Sequence, residues 1–218
     1  MLARLLYPVA NPAFPYLFCK GYYPRIADGK LNGRVARLLV TPLLLALQRT
    51  CGHNQYLDYL QGFRYPLAGE FAMRTAILPN IRIPSDWGLE IGMLSEVWRN
   101  LNHHAVCQVD ISDAYDHKHQ PLSADDASKG LSRMSTDISK ALFRKLATDG
   151  VVFSQETFRT LKATYLRFAL DLIEMCYHDA MMDGLHIDLH IEEKAVELFA
   201  SNVVNAGQLF LDTPNETP

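Results

Sequence analysis

The sequence predicts an α/β chain that passes into a helical C-terminal part, and three observations carry this. Two runs rich in aromatic and β-branched residues, 14–23 and 104–111, read as strands. Helical patterns at 35–47 and 87–100 alternate with them, and after residue 122 apolar residues recur at helical spacing. At 218 residues, 49% of them hydrophobic and 21% charged, the chain is long enough to bury a conventional core, as one domain or as a core with an appendage.

Residues 1–9 form a short amphipathic helix closed by Pro8 and Pro12. The strand 14–23 carries Lys20, which its end can aim into a site, and 27–33 is a polar loop pivoting on Gly29 and Gly33. The most apolar segment, 35–47, is interrupted by Arg37 and Pro42 and falls short of a bilayer span, so it reads as a buried helix. Residues 51–62 are a tyrosine-rich connection with no clear period. The stretch 64–92 then reads as strand, tight turn and a helix starting at Glu70, followed by a second helix over 87–100 capped by Ser85 or Asp86. Beyond residue 122 the pattern predicts a helix carrying Ile138, Leu142 and Leu146, a turn at Asp149 and Gly150, and a long helix over 155–182 capped by Ser154. A break at Asp183 and Gly184 precedes a last helix over 191–204 and a frayed tail.

The formal charge of −3 holds no basic excess for nucleic acid or an anionic membrane, so an anionic substrate needs a local basic pocket. Four cysteines, Cys19, Cys51, Cys107 and Cys176, form no CxxC pair, which fits reduced thiols in the cytoplasm. The N-terminal run is too short, and carries Arg4 within it, for a signal peptide.

Chemistry-bearing residues fall in four places. Gly33 and Arg34 open a helix, where backbone amides and a guanidinium converge on a spot suited to an anion; a solvated helix-start arginine has the same sequence. Leu67, Ala68 and Gly69 form a turn that lets backbone approach a ligand, and Glu90 enters the first turn of the next helix. A carboxylate beside a glycine turn suits a sugar or phosphate site, and equally a simple helix-dipole partner. His117 and His119 lie on one side of an extended segment with Asp116 adjacent, an arrangement open to metal ligation. The alternation of His186, Asp188 and His190 falls in a connection between helices and reads as polar surface. Met175, Met181 and Met182 read as a packing or dimer surface.

Taken in order, Gly33-Arg34-Val35, Pro42-Leu43-Leu44, Pro66-Leu67-Ala68-Gly69-Glu70, Gly88-Leu89-Glu90-Ile91-Gly92 and Asp116-His117-Lys118-His119-Gln120-Pro121-Leu122 resemble the C-terminal half of the glucosyl-3-phosphoglycerate synthases. These are retaining GT-A glycosyltransferases that move glucose from a nucleotide sugar to 3-phosphoglycerate. The resemblance implies an acceptor-side, partial GT-A domain over 1–122 and a helical extension over 123–218. It implies that Gly33 and Arg34 contact the phosphate and carboxylate of the acceptor, and that Leu67, Ala68 and Gly69 lie against donor sugar and nucleotide. By the same resemblance Glu90 orients the glucose hydroxyls and acceptor, and His117 completes the coordination of Mg2+ or Mn2+ on the donor diphosphate. Two departures stand out: Ala36 replaces a threonine of the family, and His119 replaces an asparagine that contacts the acceptor.

The DxD-bearing, nucleotide-binding half of such an enzyme is not found in this sequence. The partners implied are therefore a nucleotide-diphosphate glucose and 3-phosphoglycerate, with either a second copy of the chain in a homodimer or a separate chain that supplies the donor half. A non-catalytic remnant serving as an interaction or dimerisation module is the alternative.

Overall fold

The computed structural model describes residues 1–112 and 130–214. Its architecture is mixed α/β: a small sheet lies between an N-terminal helix and a larger helical layer. Helix α1 (Leu2–Ala10) contains Pro8 instead of ending there, and buries Leu5 and Val9 against one face of the sheet. Proline is tolerated because it lies late in a short helix, and the capping amide of Asn11 still reaches Tyr7.

Strand β1 (Phe18–Tyr22) is the centre of the three-stranded sheet, with β4 (Phe71–Met73) antiparallel on one side and β5 (Val106–Asp110) parallel on the other. Alternation along β1 sends Phe18 into the helical core and Cys19 towards α1. The helix expected from Glu70 is not formed. Phe71–Met73 instead pairs with Phe18–Lys20, and the Glu70 carbonyl accepts from the Gly21 amide at 2.8 Å. A local helix-start signal yields here to ladder hydrogen bonds that only the folded chain supplies.

The polar loop expected at 27–33 is a hairpin of β2 (Ile26–Ala27) and β3 (Lys30–Leu31). Asp28 and Gly29 both have positive φ, 51° and 67°, the two-residue turn whose twist matches a hairpin. The predicted buried helix at 35–47 spans a π-helical turn, Val35–Val40, running into α2 (Thr41–Cys51). Pro42 has no N–H to give to the Leu38 carbonyl, so the ladder is interrupted there. The buried Tyr165 hydroxyl donates to that carbonyl at 2.5 Å and satisfies it.

The connection at 51–62 contains a further helix, α3 (Gln55–Gln61), capped by Asn54, with Tyr56 and Leu57 buried. A short 3-10 turn (Thr75–Asn80) follows β4, and α4 (Leu89–Asn100) starts two residues later than expected. Its preceding turn is held by Asp86, whose carboxylate accepts from the Gly88 amide at 2.8 Å. Helices α5 (Gly130–Thr148), α6 (Gln155–Met182) and α7 (Leu189–Asp212) follow. Ser154 caps α6 through a capping box with Thr157, and Gly184, at φ 68°, turns the chain out of its C-terminal end. Helix α7 continues eight residues beyond the predicted end, 204 against Asp212, because Ala206, Gly207 and Phe210 remain buried against its neighbours. These three helices share one apolar cluster with Phe18, α2 and α4.

Candidate functional site

The site is built where the β2–β3 hairpin, the start of the 35–51 helix, the 64–69 turn and α4 meet α5. They enclose a cavity of about 360 Å3, whose wall includes Arg25, Gly33, Arg34, Leu67, Trp87 and Glu90, with Leu131 and Ile138 as an apolar back. Gly33 stands at φ 79°, a conformation that suits glycine, and turns the chain from the hairpin into the helix. The Arg37 amide donates to the Gly33 carbonyl at 3.0 Å, and the amides before it in the first turn precede any intrahelical acceptor, so the wall at Gly33 and Arg34 offers donors as well as charge. Opposite, Gly69 lies beside Glu90: a Cβ built on Gly69 would stand 3.8 Å from Oε1 of Glu90.

Two ionic clusters set the electrostatics. Glu192, 2% exposed in the first turn of α7, accepts from Nε of Arg34 at 2.7 Å and from Nη2 of Arg37 at 2.8 Å. One carboxylate thus orients two guanidiniums, and the pair retains net positive charge beside the cavity. Arg37 is fixed further by donating from Nε to the Asn32 carbonyl at 3.0 Å. The second cluster centres on Lys20, 1% exposed on β1, whose Nζ donates to the Ala68 carbonyl. Burial pushes this ammonium down to about 8, and the nearby Glu90 and Glu70 carboxylates oppose that shift. The Arg25 guanidinium lies 5.7 Å from the Tyr65 ring centroid and 6.0 Å from that of Tyr23.

Four of the residues singled out in the sequence, Gly33, Arg34, Leu67 and Glu90, therefore share one cavity wall. Ala68 is fully buried behind it and contributes its carbonyl to Lys20, while Gly69 adjoins Glu90. His117 and His119 lie outside the described residues. Among the described residues no three of His, Cys, Asp and Glu stand together as a cation site. His186 serves as backbone, its amide donating to the Gly29 carbonyl at 2.8 Å, so the α6–α7 connection docks on the hairpin. Met175, Met181 and Met182 are exposed on or beside α6. Cys19 and Cys107, far apart in sequence, are register partners on adjacent strands. The hydrogen bond between the thiols raises the Cys19 pKa and lowers that of Cys107, and both thiols are free.

Sequence reasoning missed Glu192, Arg25 and Trp87. Glu192 carries only the mark of an acidic residue in a first helical turn, which complements a dipole in countless helices. Arg25 sits in a loop whose composition shows no period, and Trp87, expected as the first residue of a helix, lies in the turn before α4.

The mixed α/β frame thus places a glycine-arginine helix start across a cavity from a carboxylate, with cationic and amide donors on one wall and an acidic acceptor on the other. Comparison with known proteins places the chain beside a particular group: it is similar to the glucosyl-3-phosphoglycerate synthases along nearly its whole length. It is 47% identical to the glucosyl-3-phosphoglycerate synthase of Persephonella marina over 216 residues, covering 99% of this chain and 53% of that protein. Identity to the synthase of Methanococcoides burtonii is 41% over 218 residues, covering 98% of the chain and 53% of the relative. The synthase of Mycobacterium tuberculosis matches at 33% over 91 residues, covering 42% of the chain. The chain spans about half the length of the curated relatives it matches over most of its own. No family model matches it. Among the described residues, no helix is long and apolar enough to cross a membrane.

Proposed function

We propose that this chain is the acceptor-side part of a glucosyl-3-phosphoglycerate synthase of the GT-A type, acting in the transfer of glucose from a nucleotide sugar to 3-phosphoglycerate. What supports the reading is one observation: Gly33, Arg34, Leu67 and Glu90, separated by up to 57 positions in sequence, line one cavity, and Arg34 and its neighbour Arg37 are held by a single carboxylate. In this reading the Gly33-Arg34 helix start receives the phosphate and carboxylate of the acceptor. Glu90, an acceptor of hydrogen bonds when ionised, orients hydroxyl groups of the glucose and of the glycerate. The apolar back formed by Leu131 and Ile138 excludes water and strengthens these interactions. The divalent cation, Mg2+ or Mn2+, belongs to the donor diphosphate with His117 as one ligand, and it would neutralise charge on the leaving group.

The test is nucleotide diphosphate release from UDP-glucose or GDP-glucose by the purified chain, with 3-phosphoglycerate and Mg2+ or Mn2+. Release should require both acceptor and cation, either with the chain alone or after adding a separately expressed donor half. Arg34→Ala should raise KM for 3-phosphoglycerate with little change for the nucleotide sugar. No release in either setting refutes the enzymatic reading and leaves an interaction module.

A further inference from the structure

Lys20 is unusual among the charged residues of this chain. Lysine is seldom fully buried without a paired charge, because the ammonium loses its hydration. Here it is 1% exposed on the central strand, between Phe71 of β4 and Gln108 of β5. Its Nζ donates to the Ala68 carbonyl and lies 5.9 Å from the Phe71 ring centroid. The carboxylates acting on it come from two further places, Glu70 at the entry to β4 and Glu90 in the first turn of α4. Tyr65 and Tyr23 feel the same carboxylates in part, Tyr65 both of them and Tyr23 that of Glu70, and Arg25 acts on both rings. The thiols of Cys19 and Cys107 fall on the opposite face of the sheet by strand alternation.

A fold that needed only an apolar residue at this position would place one there at lower desolvation cost. The ammonium instead sits behind one wall of the cavity, where its Nζ holds the Ala68 carbonyl and the next residue, Gly69, stands beside Oε1 of Glu90. Glu90 and Glu70 supply its countercharge. We propose that Lys20 is a positioning residue of this site, tying the Ala68 carbonyl to the Glu90 carboxylate so that the 67–69 backbone and Glu90 stay side by side on one wall of the ligand cavity. Its relevance to acceptor binding rests on the function proposed above. Its coupling to Glu90 does not.

The coupling is tested without any ligand, by following the Lys20 ε-methylene NMR signal of the full chain against pH in wild type, Glu90→Gln and Glu70→Gln. The wild-type midpoint should lie well below that of a free lysine, and Glu90→Gln should lower it by about half a pH unit or more, because an attractive charge has gone. A midpoint at the free-lysine value, or one that Glu90→Gln leaves unmoved, overturns the proposal. The positioning role is tested by calorimetry with 3-phosphoglycerate. Wild-type affinity should fall as pH rises through the Lys20 midpoint. Lys20→Met should bind about tenfold more weakly at pH 7, a loss of one charge-assisted contact, and lose that pH dependence, while Lys20→Arg recovers affinity. Unchanged affinity in a folded Lys20→Met protein overturns it. Should the methionine variant not fold, the titration in the carboxylate variants decides the matter. Wild type failing to bind 3-phosphoglycerate at any pH would count against the acceptor reading alone, and the titration would still decide the Lys20–Glu90 link.

Discussion

Glu192 shows how much one side chain can organise. Its carboxylate, nearly without solvent, is the shared partner of Arg34 and Arg37. Removing it leaves two guanidiniums facing each other, so Glu192→Ala should cost about 3 kcal/mol, measured as the shift in a urea unfolding curve. The same variant should disturb acceptor binding although Glu192 does not line the cavity. Lys20 makes a second residue-scale prediction with a defined sign. Its folded pKa is lowered from 10.5 to about 8, so between those values the unfolded chain holds a proton that the folded chain has shed. Stability therefore rises with pH across that interval. Unfolding midpoints at pH 7.5 and 9.5 should show the rise in wild type and lose most of it in Lys20→Met. Arg34 and Glu90 were legible at this scale because each sits at a helix start, where charge has a local reason to be. Glu192 was not legible as a site residue, because its importance lies in a partner 158 positions away, Arg34; Lys20 was legible as a strand residue aimed towards a site, but not its link to Glu90, 70 positions on.

At the scale of elements, the helices were the readable part. Periodicity and caps placed α4 and α6 closely, periodicity placed Ile138, Leu142 and Leu146 on α5, and Ser154 marked its helix to the residue. The misreadings share a cause. Glu70 to Met73 has local helix signals but pairs with β1, and 27–33 is polar enough for a loop but closes a hairpin through Asp28 and Gly29. Short strands hold few residues, so pairing partners elsewhere decide them. Helix-to-helix packing makes its own prediction at Gly207. A Cβ there would stand 2.5 Å from the Phe158 ring, so α6 and α7 approach through this gap. Gly207→Ala should destabilise by about 1–3 kcal/mol through overpacking, despite the better helix propensity of alanine. A melting temperature equal to or above wild type would show that the ring moves aside without cost.

At the scale of the molecule, the helical part after residue 130 and the sheet-bearing part before it share a core. Phe18, Leu38, Leu43 and Leu94 belong to the same apolar cluster as Phe143, Tyr165 and Phe199. Tyr165 of α6 also completes the hydrogen bonding of Leu38 in the helix that opens at Arg34. Unfolding should accordingly be a single transition, coincident by far-ultraviolet and near-ultraviolet circular dichroism. A chain ended after residue 150 should lack fixed tertiary structure, and two separate transitions in the full chain would contradict the shared core. The sequence by itself determined the α/β class, the helices after residue 130, the buried helix through Pro42 and the resemblance that named Gly33, Arg34, Leu67 and Glu90, because periodicity, caps and short motifs are local properties. Only the tertiary structure decided that those residues face one cavity, that Glu192 and Lys20 hold its two walls, and that 71–73 is a strand. Each of these depends on contacts between distant segments, and no local spacing encodes which distant partner a side chain will meet.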